Sequence, residues 1–72
     1  MDSALKILGE NIKRKREQNG LSQEELANAA DFDRTYISLI ERGKRNLSLL
    51  NLCRFAKALG MKPYELIENI EI

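Results

Sequence analysis

The stretch that most constrains this chain is Ser22 to Gly43, SQEELANAADFDRTYISLIERG. It reads as two short helices joined by a tight turn. Ser22 is a favourable N-cap, and Glu25 three residues later can reach back to complete a capping box. Gln23 through Ala30 are mostly strong helix formers. Asp31-Phe32-Asp33 interrupts them, and Asp33 can cap a second short helix that begins at Arg34. Gly43 supplies the left-handed residue that ends it.

At about 100° per residue, the faces of that second helix separate cleanly. Ile37 and Ile40 point one way, with Tyr36 and Glu41 at their margins. Arg34, Thr35, Ser38, Leu39 and Arg42 point the other way. Two buried isoleucines behind an outward Arg, Thr and Ser have the makeup of a base-reading surface. Any surface helix also carries a polar face, so the rest of the chain has to decide.

Ser3 to Asn19 forms the expected first helix, with Leu5, Leu8 and Ile12 on one stripe and Gly20 after its end. Arg16 lies one turn beyond Ile12 and continues that stripe. A lone buried charge costs several kcal/mol, so Arg16 needs a partner, and Glu41 is the acid expected to supply it. The alternative is an exposed arginine that snorkels. Leu21, Leu26, Ala27 and Ala30 form the inward side of the second helix. Gly43 to Leu47 is a basic loop, GKRNL, and Ser48 caps a fourth helix from about Leu49 to Leu59, closed by Gly60. Its expected stripe is Leu49, Leu52, Ala56 and Leu59, with Leu50 and Cys53 off it. Pro63 suits the first position of a fifth helix carrying Tyr64, Leu66, Ile67 and Ile70. No strand is expected. The chain reads as all-α, a compact five-helix bundle in one domain over residues 1–72.

Several function classes recede on composition. There is no histidine, no glycine-rich phosphate loop after a strand, and no nucleophile beside a base. Glu24 and Glu25 lie on a helix surface with no cleft to line. Catalysis is not expected, and neither is a cofactor or a small-molecule ligand. Cys53 is the lone cysteine, so no internal disulfide forms and no thiolate metal site is expected. No run approaches the roughly 18 apolar residues of a membrane span, and none reads as a signal peptide, so a cytoplasmic location is expected. The net charge is only +1, but its distribution is uneven. Lys13 to Arg16 are consecutive cations, and Arg34, Arg42, Lys44 and Arg45 surround the second short helix. Glu65, Glu68 and Glu71 crowd the carboxyl end. Nucleic-acid binding needs a local positive face rather than a basic total, though either cluster also fits a solvated helix surface.

The chain resembles the helix-turn-helix family of phage Cro and repressor proteins, the XRE family, over nearly its whole length. The resemblance runs from Leu8-Gly9, Ile12, Arg16 and Gly20-Leu21-Ser22-Gln23 through Glu25-Leu26-Ala27. It continues through Tyr36-Ile37-Ser38, Ile40-Glu41-Arg42-Gly43, Arg45-Asn46, Ser48-Leu49 and Ala56 to Gly60. DRTYIS followed by IERGKRNLS looks most like the controller proteins of restriction–modification systems, which are stand-alone dimeric regulators of transcription. The same segment occurs in other small XRE regulators and in leader domains of some cytosine methyltransferases. The implied fold is lambda repressor-like, with its helix-turn-helix core at about residues 22–43.

The resemblance also implies roles. Ser22 and Gln23 match positions that grip a phosphate. Arg34 and Thr35 match base-contacting positions, with Ser38 one turn further along. Tyr36 matches a position near the DNA backbone, and Arg42, Lys44, Arg45 and Asn46 match the loop that follows the strand. Arg16 and Glu41 match a structural ion pair, in agreement with the pairing argued from burial. Three positions depart from the pattern. Asp31 stands where glycine is usual, so the turn must accept a left-handed aspartate. Leu39 suggests apolar contact with a thymine methyl. Leu47 replaces a common proline.

One monomer reads too few base pairs to find a genomic site, so a two-fold homodimer on a near-palindromic operator is expected. Leu47, Leu50, Cys53, Tyr64, Ile67, Ile70 and Ile72 are the candidates for its interface. The alternative for them is an ordinary core beneath the last two helices, and for Cys53 simple packing. Two other readings stay open on the same fold: a small XRE repressor, and an antitoxin or protein-interaction module. RNA polymerase is a further partner if the chain activates.

Overall fold

A computed structural model describes residues 3–71. Four α-helices follow one another: α1 Ser3–Gln18, α2 Gln23–Ala30, α3 Arg34–Glu41 and α4 Leu49–Leu59. A 3-10 turn at Pro63–Leu66 closes the order, and no strand occurs among the described residues.

Local signals account for most of the boundaries. The Ser22 hydroxyl accepts the Glu25 N–H at 3.0 Å, and the Glu25 carboxylate accepts the Ser22 N–H at 2.8 Å. Both halves of the capping box are therefore made. Asp33 Oδ1 accepts the Thr35 N–H at 2.9 Å, which starts α3 with only three residues between it and α2. Ser48 caps α4 through the Asn51 N–H at 3.1 Å. Asp31 takes the left-handed conformation at φ 60, ψ 49, and Gly60 does so at the end of α4.

The core is one cluster drawn from every helix. Leu8 and Ile12 come from α1, Leu26 and Ala27 from α2, and Ile37 and Ile40 from α3. Leu52, Phe55, Ala56 and Leu59 of α4 and Leu66 of the 3-10 turn complete it. At Gly9 a Cβ would stand 2.3 Å from the Ile40 carbonyl oxygen and 2.7 Å from that of Glu41. Only glycine lets α1 lie this close to the carboxyl end of α3.

Two expectations are corrected here. The fifth helix is a single 3-10 turn. Its continuation fails because the carbonyls of Leu66 and Glu68 accept hydrogen bonds from the buried Asn11 side chain, at 3.0 and 2.9 Å, while Asn69 turns left-handed. Among the described residues the bundle thus has four α-helices, within the all-α class expected. The second correction concerns α4, where Leu49 is 73% exposed and Phe55 is fully buried. Leu49 occupies the first helical position, where a side chain leans toward the amino end and off the packed stripe. The buried row is Leu52, Phe55, Ala56 and Leu59, an i, i+3, i+4, i+7 pattern.

Candidate nucleic-acid interface

Helix α3 is anchored by Ile37 and Ile40, both essentially fully buried. Its other side carries Arg34 and Thr35, both exposed, then Ser38 and Leu39, half-buried. Arg42 follows, exposed, with its Nε donating back to the Ser38 carbonyl at 3.3 Å. The four residues expected to meet bases therefore project from one short rod whose opposite face is locked in the core. Asp33, the residue before Arg34, commits its Oδ1 to the helix cap.

Beyond α3 the chain turns through Gly43 at φ 74, in a place where a Cβ would stand 2.9 Å from the Lys6 Cα. Lys44 donates its N–H to the Leu39 carbonyl at 2.9 Å, which folds the basic loop back on the helix. Lys44, Arg45 and Asn46 are exposed there. Arg45 lies over the Tyr36 ring, 5.4 Å from its centroid. Tyr36 itself is half-buried in an aromatic group, 4.9 Å from Phe32 and 6.2 Å from Phe55 between ring centroids.

At the start of α2, Ser22 and Gln23 are already engaged within the chain. The Ser22 N–H goes to Glu25, and Gln23 Nε2 donates to Glu41 Oε1 at 3.0 Å. That acceptor belongs to the ion pair expected from burial. Arg16 Nε reaches Glu41 Oε2 at 2.6 Å and Nη2 reaches Oε1 at 3.0 Å, with both side chains buried. Arg16 Nη1 also donates to the Leu21 carbonyl at 2.8 Å. Its hydrogen bonds to the Glu41 carboxylate hold the guanidinium above its ordinary range, against the opposing effect of burial. The pair fastens α1, the lead-in to α2 and the end of α3 to one another.

The run Lys13 to Arg16 divides. Arg16 turns inward, Lys13 and Arg14 are exposed, and Arg14 donates to the Asn11 side chain at 3.0 Å. The apolar residues expected at a dimer interface divide as well. Leu50, Cys53, Tyr64 and Ile67 are exposed, whereas Leu47 and Ile70 pack partly against the core. Ile72 lies outside the described residues.

Three polar residues escaped the linear pattern: Asn11, Asn51 and Arg54. Asn51 Nδ2 donates to the Tyr36 hydroxyl at 3.0 Å, and Arg54 Nη2 donates to the carbonyls of Ala30 and Asp31. Their i, i+3 spacing on α4 shows only that they share a face. Their partners lie fifteen and twenty-three or more residues away, which no local signal reveals.

The helix-turn-helix family model matches residues 12–66. The chain belongs to the helix-turn-helix family. It is 49% identical over 59 residues to the control protein C.MunI of a Mycoplasma species, covering 82% of this chain and 80% of that protein. The crystal structure of the restriction–modification controller protein C.AhdI from Aeromonas hydrophila superposes with a TM-score of 0.88 at 42% identity. That match covers 90% of this chain and 98% of the other. The controller protein C.Esp1396I, solved as a tetramer in complex with its natural 35 base-pair operator, gives a TM-score of 0.86 at 36% identity. It covers 97% of this chain and 92% of its own. Among the described residues, no helix is long and apolar enough to cross a membrane.

Proposed function

We propose that this helix-turn-helix protein is a restriction–modification controller. On this reading it is a cytoplasmic transcriptional regulator, not an enzyme, and it binds a near-palindromic double-stranded operator as a homodimer. The observation that carries the reading is the split of α3: two isoleucines buried behind, and Arg34, Thr35, Ser38 and Leu39 in front. Likeness to controller proteins, one of them solved on its operator, supports the same function.

Arg34 suits a bidentate contact to guanine O6 and N7, a pairing worth about 1–3 kcal/mol of discrimination. Thr35 and Ser38 offer hydroxyls to base edges or phosphates, and Leu39 offers an apolar surface to a thymine methyl. Arg42, Lys44, Arg45 and Asn46 lie along the path of a phosphate strand beside α3. Tyr36 supports that path from beneath Arg45. Ser22 and Gln23 at the start of α2 complete the backbone contacts. Leu50, Cys53, Tyr64 and Ile67 form the exposed part of the proposed dimer face, with Leu47 and Ile70 beside them. RNA polymerase is the further partner if the operator lies where the bound protein activates.

Selection from random duplex DNA tests the reading. The wild-type protein is expected to enrich a two-fold symmetric site with half-site centres about one helical turn, or 34–36 Å, apart. Arg34→Ala is expected to lose preference at one position per half-site while still binding DNA. A wild-type protein that enriches no sequence rejects the proposal and favours a protein-interaction module.

A further inference from the structure

Helix α4 reaches the helix-turn-helix unit from behind with two polar side chains one turn apart. Arg54 grips the turn between α2 and α3. Its Nη2 donates to the Ala30 carbonyl at 2.9 Å and the Asp31 carbonyl at 2.6 Å, and its guanidinium lies 4.1 Å from the Phe32 ring centroid. Asn51 continues the connection, accepting from Arg54 Nη1 at 3.4 Å and donating to the Tyr36 hydroxyl at 3.0 Å. The Tyr36 ring then sits under Arg45. One connected run of side chains thus links the turn before α3 to the basic loop after it.

The chemistry of the run is selective. Carbonyls at the end of a helix lack partners within it and need donors from elsewhere. A planar guanidinium can donate to these carbonyls through one nitrogen and to Asn51 through another while lying flat on an aromatic ring, which an ammonium cannot. The turn so held is the pivot of the reading helix, because Arg34 follows Asp31 by three residues. A recognition constellation has to be held within about 0.5 Å and 10–20° of its working geometry.

We infer that Arg54 and Asn51 are positioning residues for base recognition. They act through the turn and through Tyr36, setting the presentation of Arg34 on one side and of Arg45 on the other. The inference rests on the DNA-reading function proposed above. It is distinct from it, since neither residue belongs to the face that meets the DNA.

The test compares affinity for the selected operator with affinity for a scrambled duplex of equal length, over a range of salt. Arg54→Lys keeps the charge and removes the fork. The expected result is a fall on the order of tenfold in the operator-to-scrambled ratio, with scrambled-duplex affinity and salt slope unchanged. Asn51→Ala is expected to lower the same ratio by a smaller factor and to make the effect of Arg45→Ala non-additive with its own. Thermal melting verifies that each variant is folded, and Asn51→Ala decides alone should Arg54→Lys unfold.

A ratio unchanged in the folded variants overturns the inference. So does an Arg54→Ala protein whose salt slope drops by about one and is restored by lysine, the behaviour of a phosphate contact. A wild-type protein that selects no operator removes the DNA reading itself, and the positioning role with it.

Discussion

Arg16 and Glu41 join α1, the lead-in to α2 and the end of α3 through one pair of side chains. The two ionic hydrogen bonds, the amide of Gln23 and the carbonyl of Leu21 leave neither group short of partners. Burial makes that completeness matter. Removing one member strands a charge where water cannot reach it, at a cost of about 3–5 kcal/mol. Glu41→Ala is therefore expected to lower unfolding free energy in urea by that amount, while Arg16→Met with Glu41→Leu together costs much less. A loss below about 1 kcal/mol for Glu41→Ala would place the pair among solvent-screened surface bridges. This pairing was legible in sequence because an arginine on an apolar stripe demands an acid, and Glu41 sits at the edge of the facing stripe. The part played by Gln23 was not, because it depends on how α2 lies across the end of α3.

Among the elements, the turn between α2 and α3 is held in an unusual way. Asp31 adopts a left-handed conformation that costs most side-chain-bearing residues roughly 1–2 kcal/mol. Its carboxylate is 3.9 Å from Arg54 and fully exposed, an arrangement that contributes little. Glycine relieves the conformational cost and adds about 0.5–1 kcal/mol of backbone entropy to be lost on folding. Asp31→Gly is thus expected to raise the thermal midpoint, with a net gain of up to about 1 kcal/mol. A lowered midpoint would mean that the aspartate stabilises the turn beyond its geometry. The carboxyl-terminal segment illustrates the opposite case. Pro63 and the apolar residues after it have helical credentials, yet Asn11 captures the Leu66 and Glu68 carbonyls, and the segment stops after one 3-10 turn.

For the whole molecule the surplus is apolar surface. Leu50 is 76% exposed, Tyr64 64% and Ile67 44%. A chain of 72 residues buries a small core, about 60% of its unfolded surface, so covering such residues with a second copy offers stability that one copy lacks. Ile67→Asp is expected to sediment as a monomer and to lose cooperative operator binding, while wild-type melting rises with protein concentration. A variant that still sediments as an unchanged dimer places the interface elsewhere.

Capping residues, left-handed positions and helical apolar spacing are properties of a few consecutive residues, so the sequence alone determined α1 to α4, the outward set on α3 and the class of the fold. Phe55 in the core, Leu49 in solvent, the arrested last segment and the grip of Asn51 and Arg54 were decided only by the tertiary structure. Each depends on which distant carbonyl, ring or helix end arrives opposite a side chain, and periodicity carries no information about that.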